Sequence, residues 1–111
     1  MTVQELADRT GFETVNMGDE PEREIGVPFC CDLLSIAMSR APAGCAWVTV
    51  MGNMNTLAVA ALTDAAAVIL AEGAALDEAA AKKAADQEIT VLKTEEPTFE
   101  AALKIYNFMR E

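Results

Sequence analysis

The sequence predicts a small α/β domain built on a mostly parallel sheet of about four to five strands flanked by helices. From Cys45 onward, three consecutive segments repeat the order strand, loop, helix. This alternation is typical of parallel sheets whose strands are joined by crossover helices. The stretch Ala66–Leu70 is apolar throughout, as expected for a strand that is covered on both faces.

Hydrophobic periodicity and turn residues predict the individual elements. Thr2 and Glu5 form a capping box that starts a short helix, which runs to about Arg9 and is ended by Gly11. The further predicted helices are Leu33–Ala41, Asn55–Leu62, Asp77–Gln87 and Thr98 to Glu111. The predicted strands are Phe12–Asn16, Cys45–Met51, Ala66–Leu70 and Ile89–Leu92, with Arg23–Val27 as a short strand or an extended loop. In the second helix we expect Asp32 to be the N-cap and the apolar face to consist of Leu34, Ala37, Met38 and Ala41.

The composition limits the class of protein. The 111 residues fit one domain spanning 1–111, and 52% of them are hydrophobic, which is enough for a packed core. Lys and Arg number 8 against 18 Asp and Glu, which gives a net charge of −10. Nucleic acid and anionic membrane surfaces are therefore unexpected partners. The apolar run Met54–Ala71 contains Asp64, whose charge disfavours a membrane span.

The chain contains three cysteines, Cys30, Cys31 and Cys45, and no histidine. Two of the three are adjacent and the number is odd, so a secreted disulfide framework is not expected. The segment Met1–Glu5 also lacks the basic region of a signal peptide, and we expect a cytoplasmic protein. We expect the cysteines to be small buried apolar residues and the chain to hold neither metal nor cofactor.

The sequence offers no recognisable catalytic group. It has no phosphate-binding loop, no dinucleotide-binding glycine pattern, and no histidine to activate a serine or cysteine. Paired carboxylates such as Glu95 and Glu96 precede predicted helices, where the helix dipole explains them. The chain is therefore not expected to be an enzyme.

Polar residues cluster where the predicted strand Cys45–Met51 passes into the next helix. The carboxyl ends of parallel strands and the amides of helix N-termini are common ligand-binding positions. The candidate ligand-binding residues are Thr49, Asn53, Asn55 and Thr56, with Thr94 in the corresponding place after the last strand. The alternative is that Asn53 or Asn55 only caps its helix.

Two predicted helices carry more apolar surface than one sheet contact requires. Leu57–Leu62 is apolar all round, and the last helix has a stripe of Phe99, Leu103 and Tyr106, which Ile105, Phe108 and Met109 widen. A homodimer would cover this surface. The alternative is that the amino-terminal segment covers it.

Two segments of the chain resemble the DRTGG domain, a relative in fold of the amino-terminal domain of the HPr kinase/phosphorylase. The segment Trp47–Ala60 reads Trp-Val-Thr-Val-Met-Gly-Asn-Met-Asn-Thr-Leu-Ala-Val-Ala, similar to the family stretch Trp-Ile-Thr-Ile-Gln-Thr-His-x-Asn-Ile-x-Ala-Val-Ala. The segment Glu22–Ser35 is similar to the stretch Asp-Arg-Glu-Val-x-Gly-Gly-Tyr-x-x-Asp-Leu-Leu-Ser. The later segments Ala67–Gly73 and Ile89–Glu100 also match, so the resemblance covers nearly the whole chain.

The resemblance implies a fold like that of the HPr kinase amino-terminal domain and an accessory role. DRTGG domains accompany nucleotide-binding CBS domains in regulated pyrophosphatases, and free-standing members occur near electron-transfer genes. The expected function is thus a non-catalytic regulatory or partner-binding module of a metabolic or redox enzyme system, with a sensor of a small nucleotide-like ligand as the alternative. The paired glycines of the family are replaced by Val27 and Pro28, and its histidine by Asn53, which puts any family use of those positions in doubt.

Overall fold

The computed structural model describes residues 1–111 and shows five strands and five helices. In chain order they are α1 (Val3–Thr10), β1 (Glu13–Asn16), β2 (Pro28–Cys30), α2 (Leu34–Arg40), β3 (Ala46–Thr49), α3 (Met54–Thr63), β4 (Ala67–Leu70), α4 (Glu78–Asp86), β5 (Val91–Lys93) and α5 (Thr98–Met109). None of the helices has the length and apolar character needed to cross a membrane.

The strands form one five-stranded sheet in the order β1-β5-β4-β3-β2. The four strands β2 to β5 are parallel, with Trp47 opposite Val68 in the central pair, whereas β1 runs antiparallel to β5. The predicted α/β class with a mostly parallel sheet is confirmed. All four parallel strands end at the same edge of the sheet, called here the carboxyl edge.

Helices cover both faces of the sheet. Side chains alternate along β3, so Val48 faces a cluster with α1 and α5 while Trp47 faces a cluster with α2, α3 and α4. The residues of β3 and β4 are all buried, which explains the uninterrupted apolar sequence of Ala66–Leu70. The Trp47 indole donates a hydrogen bond to the Cys31 carbonyl oxygen at 2.9 Å, which satisfies its buried N–H group.

Of the two predictions for Arg23–Val27, a short strand or an extended loop, the structure shows the extended loop. Only Glu24 forms an isolated bridge there, with Thr2, and the strand β2 begins at Pro28. Proline is tolerated because β2 is an edge strand whose other side has no neighbour. Arg23 instead holds the loop in place, since its guanidinium donates three hydrogen bonds of 2.9 Å to the Asp64 carboxylate and carbonyl.

The second helix departs from expectation at its start. Asp32 makes no cap, and Leu33 stands at the N-cap position of α2 without a side-chain hydrogen bond. Of the predicted apolar face only Ala37 is buried, and Met38 is exposed. By contrast, the capping box of Thr2 and Glu5 is present as predicted.

The apolar surface of α5 is divided between core and solvent. Ile105 is fully buried and packs in the cluster with Val3 and Leu6 of α1, so it does not widen the exposed stripe. Arg9 of α1 also lies over the Phe108 ring, 4.4 Å from its centroid. The amino-terminal segment therefore covers one side of α5, and the stripe of Phe99, Leu103 and Tyr106 remains exposed.

Candidate functional site

Thr49 ends strand β3 at the carboxyl edge and is fully buried. Its hydroxyl donates a hydrogen bond of 2.7 Å to the Asp32 carboxylate, which also accepts one of 3.0 Å from the Val50 N–H group. Asp32 lies between β2 and α2, so this carboxylate ties the ends of two neighbouring strands together. Asp32 was predicted to cap α2 because local spacing does not reveal its actual partner, Thr49, which lies seventeen residues further along the chain.

Asn53 is the N-cap of α3, as one of the two interpretations of the sequence expected. Its side-chain oxygen accepts hydrogen bonds from the Thr56 N–H group at 3.0 Å and from the Thr56 hydroxyl at 3.3 Å. Thr56 is buried, whereas the Asn55 side chain is exposed in the first turn of α3. Asn53 and Asn55 thus face solvent at the carboxyl edge, whereas Thr49 and Thr56 are buried beneath it.

Thr94 follows strand β5 and is tied to the loop that leads into α5. Its hydroxyl accepts a hydrogen bond from the Glu96 N–H group at 3.1 Å, and Glu96 also pairs with Lys104 at 2.7 Å. The nearby Glu72 carboxylate accepts hydrogen bonds from the Thr98 N–H group and hydroxyl at 2.9 and 3.3 Å. The N-terminus of α5 is therefore capped by a carboxylate from the end of β4.

At the carboxyl edge, side chains of the domain itself accept hydrogen bonds from the N-terminal N–H groups of α3, α4 and α5. Asn53 caps α3, Asp77 caps α4 through the Ala80 N–H group, and Glu72 caps α5. Side-chain oxygen atoms, two of the three from carboxylates, thus stand where a phosphate would bind a helix N-terminus. An anionic ligand would have to displace these caps or bind beside them.

The main surface pockets lie away from the predicted residues. A polar pocket of about 220 Å³ lies at the opposite edge of the sheet and is lined by Arg23, Asp64, Glu88 and others. Of the candidate ligand-binding residues, only Thr94 lines one of the five main pockets, an open one beside Gly11. No three His, Cys, Asp or Glu side chains lie together in a position to hold a metal ion.

The cysteines occupy three different environments and form no disulfide. Cys45 is buried, and burial raises the pKa of its thiol from 9.0 to about 11. Cys31 is half-buried, but Cys30 is exposed on the edge strand β2, so the expectation of a buried apolar residue is wrong for Cys30. Desolvation, and to a smaller degree the Asp32 carboxylate, raises the pKa of the Cys30 thiol, which disfavours a reactive thiolate at neutral pH.

A surface feature that the sequence did not reveal lies between α5 and the edge strand. A shallow groove of about 260 Å³ is lined by apolar side chains of both elements: Pro28, Cys30, Phe99, Ala102, Leu103 and Tyr106. We call these six residues the α5–β2 patch. The stripe on α5 was predicted, but the contribution of β2 was not, because no strand was predicted over Pro28–Cys30.

The family model of the DRTGG domain matches residues 5–108 of the chain. A similar solved structure is the crystal structure of the CBS and DRTGG domains of the regulatory region of Clostridium perfringens pyrophosphatase, complexed with its activator, diadenosine tetraphosphate. The TM-score is 0.76 at 16% sequence identity, and the match covers 94% of this chain and 45% of that chain. This chain therefore spans less than half the length of that regulatory region.

No curated protein matches the chain significantly. The likeness to the pyrophosphatase region establishes the fold, and the family model extends over nearly all of the sequence. The chain belongs to the DRTGG domain family.

Proposed function

We propose that this chain is a non-catalytic regulatory or partner-binding module, that it forms a homodimer, and that it serves a metabolic or redox enzyme system in the cytoplasm. Membership of the DRTGG family and the likeness to a pyrophosphatase regulatory region support the regulatory part of the proposal. The homodimer and the enzyme system that it serves are inferences beyond those similarities.

The observation that carries the proposal is the apolar surface that the folded domain leaves uncovered. Phe99 of α5 is 71% exposed, and Leu103 and Tyr106 are more than two-fifths exposed. Burial of apolar area is worth about 25 cal/mol per Å², so association would stabilise a small domain of this kind. Exposed apolar patches of this type mark interaction surfaces in soluble proteins.

The polar groups at the carboxyl edge have structural roles, which supports the proposal that the chain is not a catalyst. The carboxylates at the carboxyl edge cap helices or tie strands, and the chain has no histidine. The test is a turnover assay of the purified protein with Mg²⁺, ATP and a serine-containing peptide. We expect neither phosphate release nor peptide phosphorylation above buffer, and turnover that co-purifies with the protein would overturn this part of the proposal.

A second candidate function is the sensing of a small nucleotide-like ligand at the carboxyl edge. It is favoured by the similar pyrophosphatase regulatory region, whose structure contains the activator diadenosine tetraphosphate. In this chain the candidate residues are Thr49, Asn53, Asn55, Thr56 and Thr94. The Asn55 side chain is exposed to solvent there, whereas the exposed Asn53 side chain already caps α3 through its oxygen atom.

This second function is tested by a thermal-shift titration with diadenosine tetraphosphate and adenine nucleotides. A ligand that binds the folded chain raises its Tm by mass action. Binding at the carboxyl edge predicts a shift that is lost in Asn55→Asp, which adds a negative charge next to the helix caps. No shift at millimolar nucleotide, or a shift unchanged by Asn55→Asp, would contradict a nucleotide site at this edge.

A further inference from the structure

We propose that a second copy of the chain docks on the α5–β2 patch, with the two α5 helices antiparallel about a two-fold axis near Leu103. This inference rests on the homodimer of the proposed function and assigns its interface and orientation. The alternative surface would be α3, whose apolar sequence is equally prominent.

The groove geometry favours α5 as the contact ridge. Leu103 lines the apolar groove against β2 and also a second groove of about 400 Å³ on the other side of the helix, which contains Glu100 and Lys104. The α5 helix is thus a ridge with a groove along each side. In an isologous contact the ridge of each copy would lie in the apolar groove of the other.

Charge along α5 favours the antiparallel orientation. Glu100 lies in the first turn and Arg110 at the end of the helix, and neither forms an ion pair within the chain. The Arg110 guanidinium instead lies over the Tyr106 ring, 5.3 Å from its centroid, and donates a hydrogen bond to the Tyr106 hydroxyl. An antiparallel pairing about Leu103 sets Glu100 of one copy opposite Tyr106 of the other, within reach of the arginine that stacks on that ring.

The edge strand excludes the simplest alternative contact, a sheet continued from one copy to the next. The Val27 carbonyl accepts a hydrogen bond from the Ala46 N–H group and the Cys31 N–H group donates to the Val48 carbonyl, so these residues point toward β3. The intervening residues of β2, Pro28 and Cys30, therefore turn their backbone outward. Because proline has no N–H group, the edge cannot supply a full ladder, and side-chain packing remains the mode of contact.

The experiment compares Leu103→Glu with Leu62→Glu in the full-length chain. Leu62 of α3 is 73% exposed, more than Leu103, and provides a control of the same substitution on another helix. Sedimentation equilibrium gives the dimer dissociation constant, and circular dichroism confirms folding. We expect Leu103→Glu to weaken the dimer by at least about a hundredfold, since two buried charges would face each other, and Leu62→Glu to leave it unchanged.

The outcomes separate this inference from the proposed homodimer. A monomeric wild-type chain would overturn both. A wild-type dimer that survives Leu103→Glu, or that dissociates with Leu62→Glu alone, would overturn the α5–β2 interface and leave the homodimer standing. If Leu103→Glu does not fold, the charge variants Glu100→Arg and Arg110→Glu test the α5–β2 interface instead.

The antiparallel orientation is tested by exchanging charges at exposed positions. Glu100→Arg and Arg110→Glu should each weaken the dimer, by roughly tenfold for two symmetric contacts, because like charges would then meet. The double variant should regain most of the wild-type affinity. Losses that simply add in the double variant would overturn the antiparallel pairing.

Discussion

The Thr49 hydroxyl donates a hydrogen bond of 2.7 Å to the Asp32 carboxylate, joining the end of the central strand β3 to the loop after the edge strand β2. The same carboxylate accepts the Val50 N–H group. The Asp32 carboxylate thus occupies two hydrogen-bond donors that would otherwise be free to bind a ligand at this part of the carboxyl edge. Asp32 therefore has a structural role in this domain.

The first prediction concerns that carboxylate. Asp32→Ala leaves the buried Thr49 hydroxyl and the Val50 N–H group without their acceptor, which should lower the free energy of unfolding by about 1–3 kcal/mol. Urea denaturation measures this as a lower midpoint at constant m-value. Asp19→Ala is the matched control, because Asp19 is exposed and makes no side-chain hydrogen bond. Equal midpoints for the two variants would show that the Asp32 contacts contribute nothing.

The second prediction concerns the contact between two loops of the carboxyl edge. A Cβ atom at Gly52 would overlap the carbonyl group of Ala75, and the Gly52 carbonyl accepts a hydrogen bond of 2.9 Å from the Asp77 N–H group. Gly52→Ala should therefore destabilise the fold by about 2 kcal/mol or more. Gly26→Ala is the control, since its nearest non-neighbouring atoms are 3.8 Å away, and it should change stability by less than about 0.5 kcal/mol. Thermal or urea unfolding of both variants decides, and a tolerated Gly52→Ala would contradict the close approach of the loops.

The third prediction is a dependence of stability on alkaline pH. The thiol of buried Cys45 has a pKa of about 11 in the folded chain, against 9.0 ordinarily. Between these two values the unfolded chain loses the proton and the folded chain keeps it, so unfolding becomes more favourable as pH rises. The loss from this group should be roughly 2 kcal/mol across the interval.

The control for that effect is Cys45→Ala, which retains the lysines and the tyrosine that titrate in the same range. The free energy of unfolding is measured by urea denaturation at several values between pH 8 and pH 11. We expect a steeper decline in the wild type than in the variant. Parallel declines would mean that the Cys45 thiol does not drive the alkaline loss.

Sequence reasoning was reliable where the partners are close along the chain. The capping box of Thr2 and Glu5 and the cap at Asn53, one of the two residues considered for it, each join residues three positions apart, where side-chain chemistry and spacing are informative. The buried strands β3 and β4 were also predicted, because their apolar sequence leaves no other position for them.

Sequence reasoning failed where a side chain bonds to a partner that is distant along the chain. Asp32 reaches across to Thr49, and Arg23 reaches Asp64 over forty-one positions, so neither role is visible in local spacing. The edge strand β2 was missed, because Arg23–Val27 was expected to be a short strand or an extended loop and no strand was predicted over Pro28–Cys30. Likewise, periodicity could not decide whether Ile105 or Leu103 faces the core, since α1 determines which side of α5 is covered.

The proposed homodimer joins two copies of the folded domain through the apolar surface that each copy leaves exposed. Light scattering of the wild-type chain over a dilution series from high to low micromolar concentration measures this directly. We expect twice the chain mass at the upper concentrations, falling towards the monomer mass on dilution only if the affinity is weak. A folded monomer at every concentration would contradict the claim.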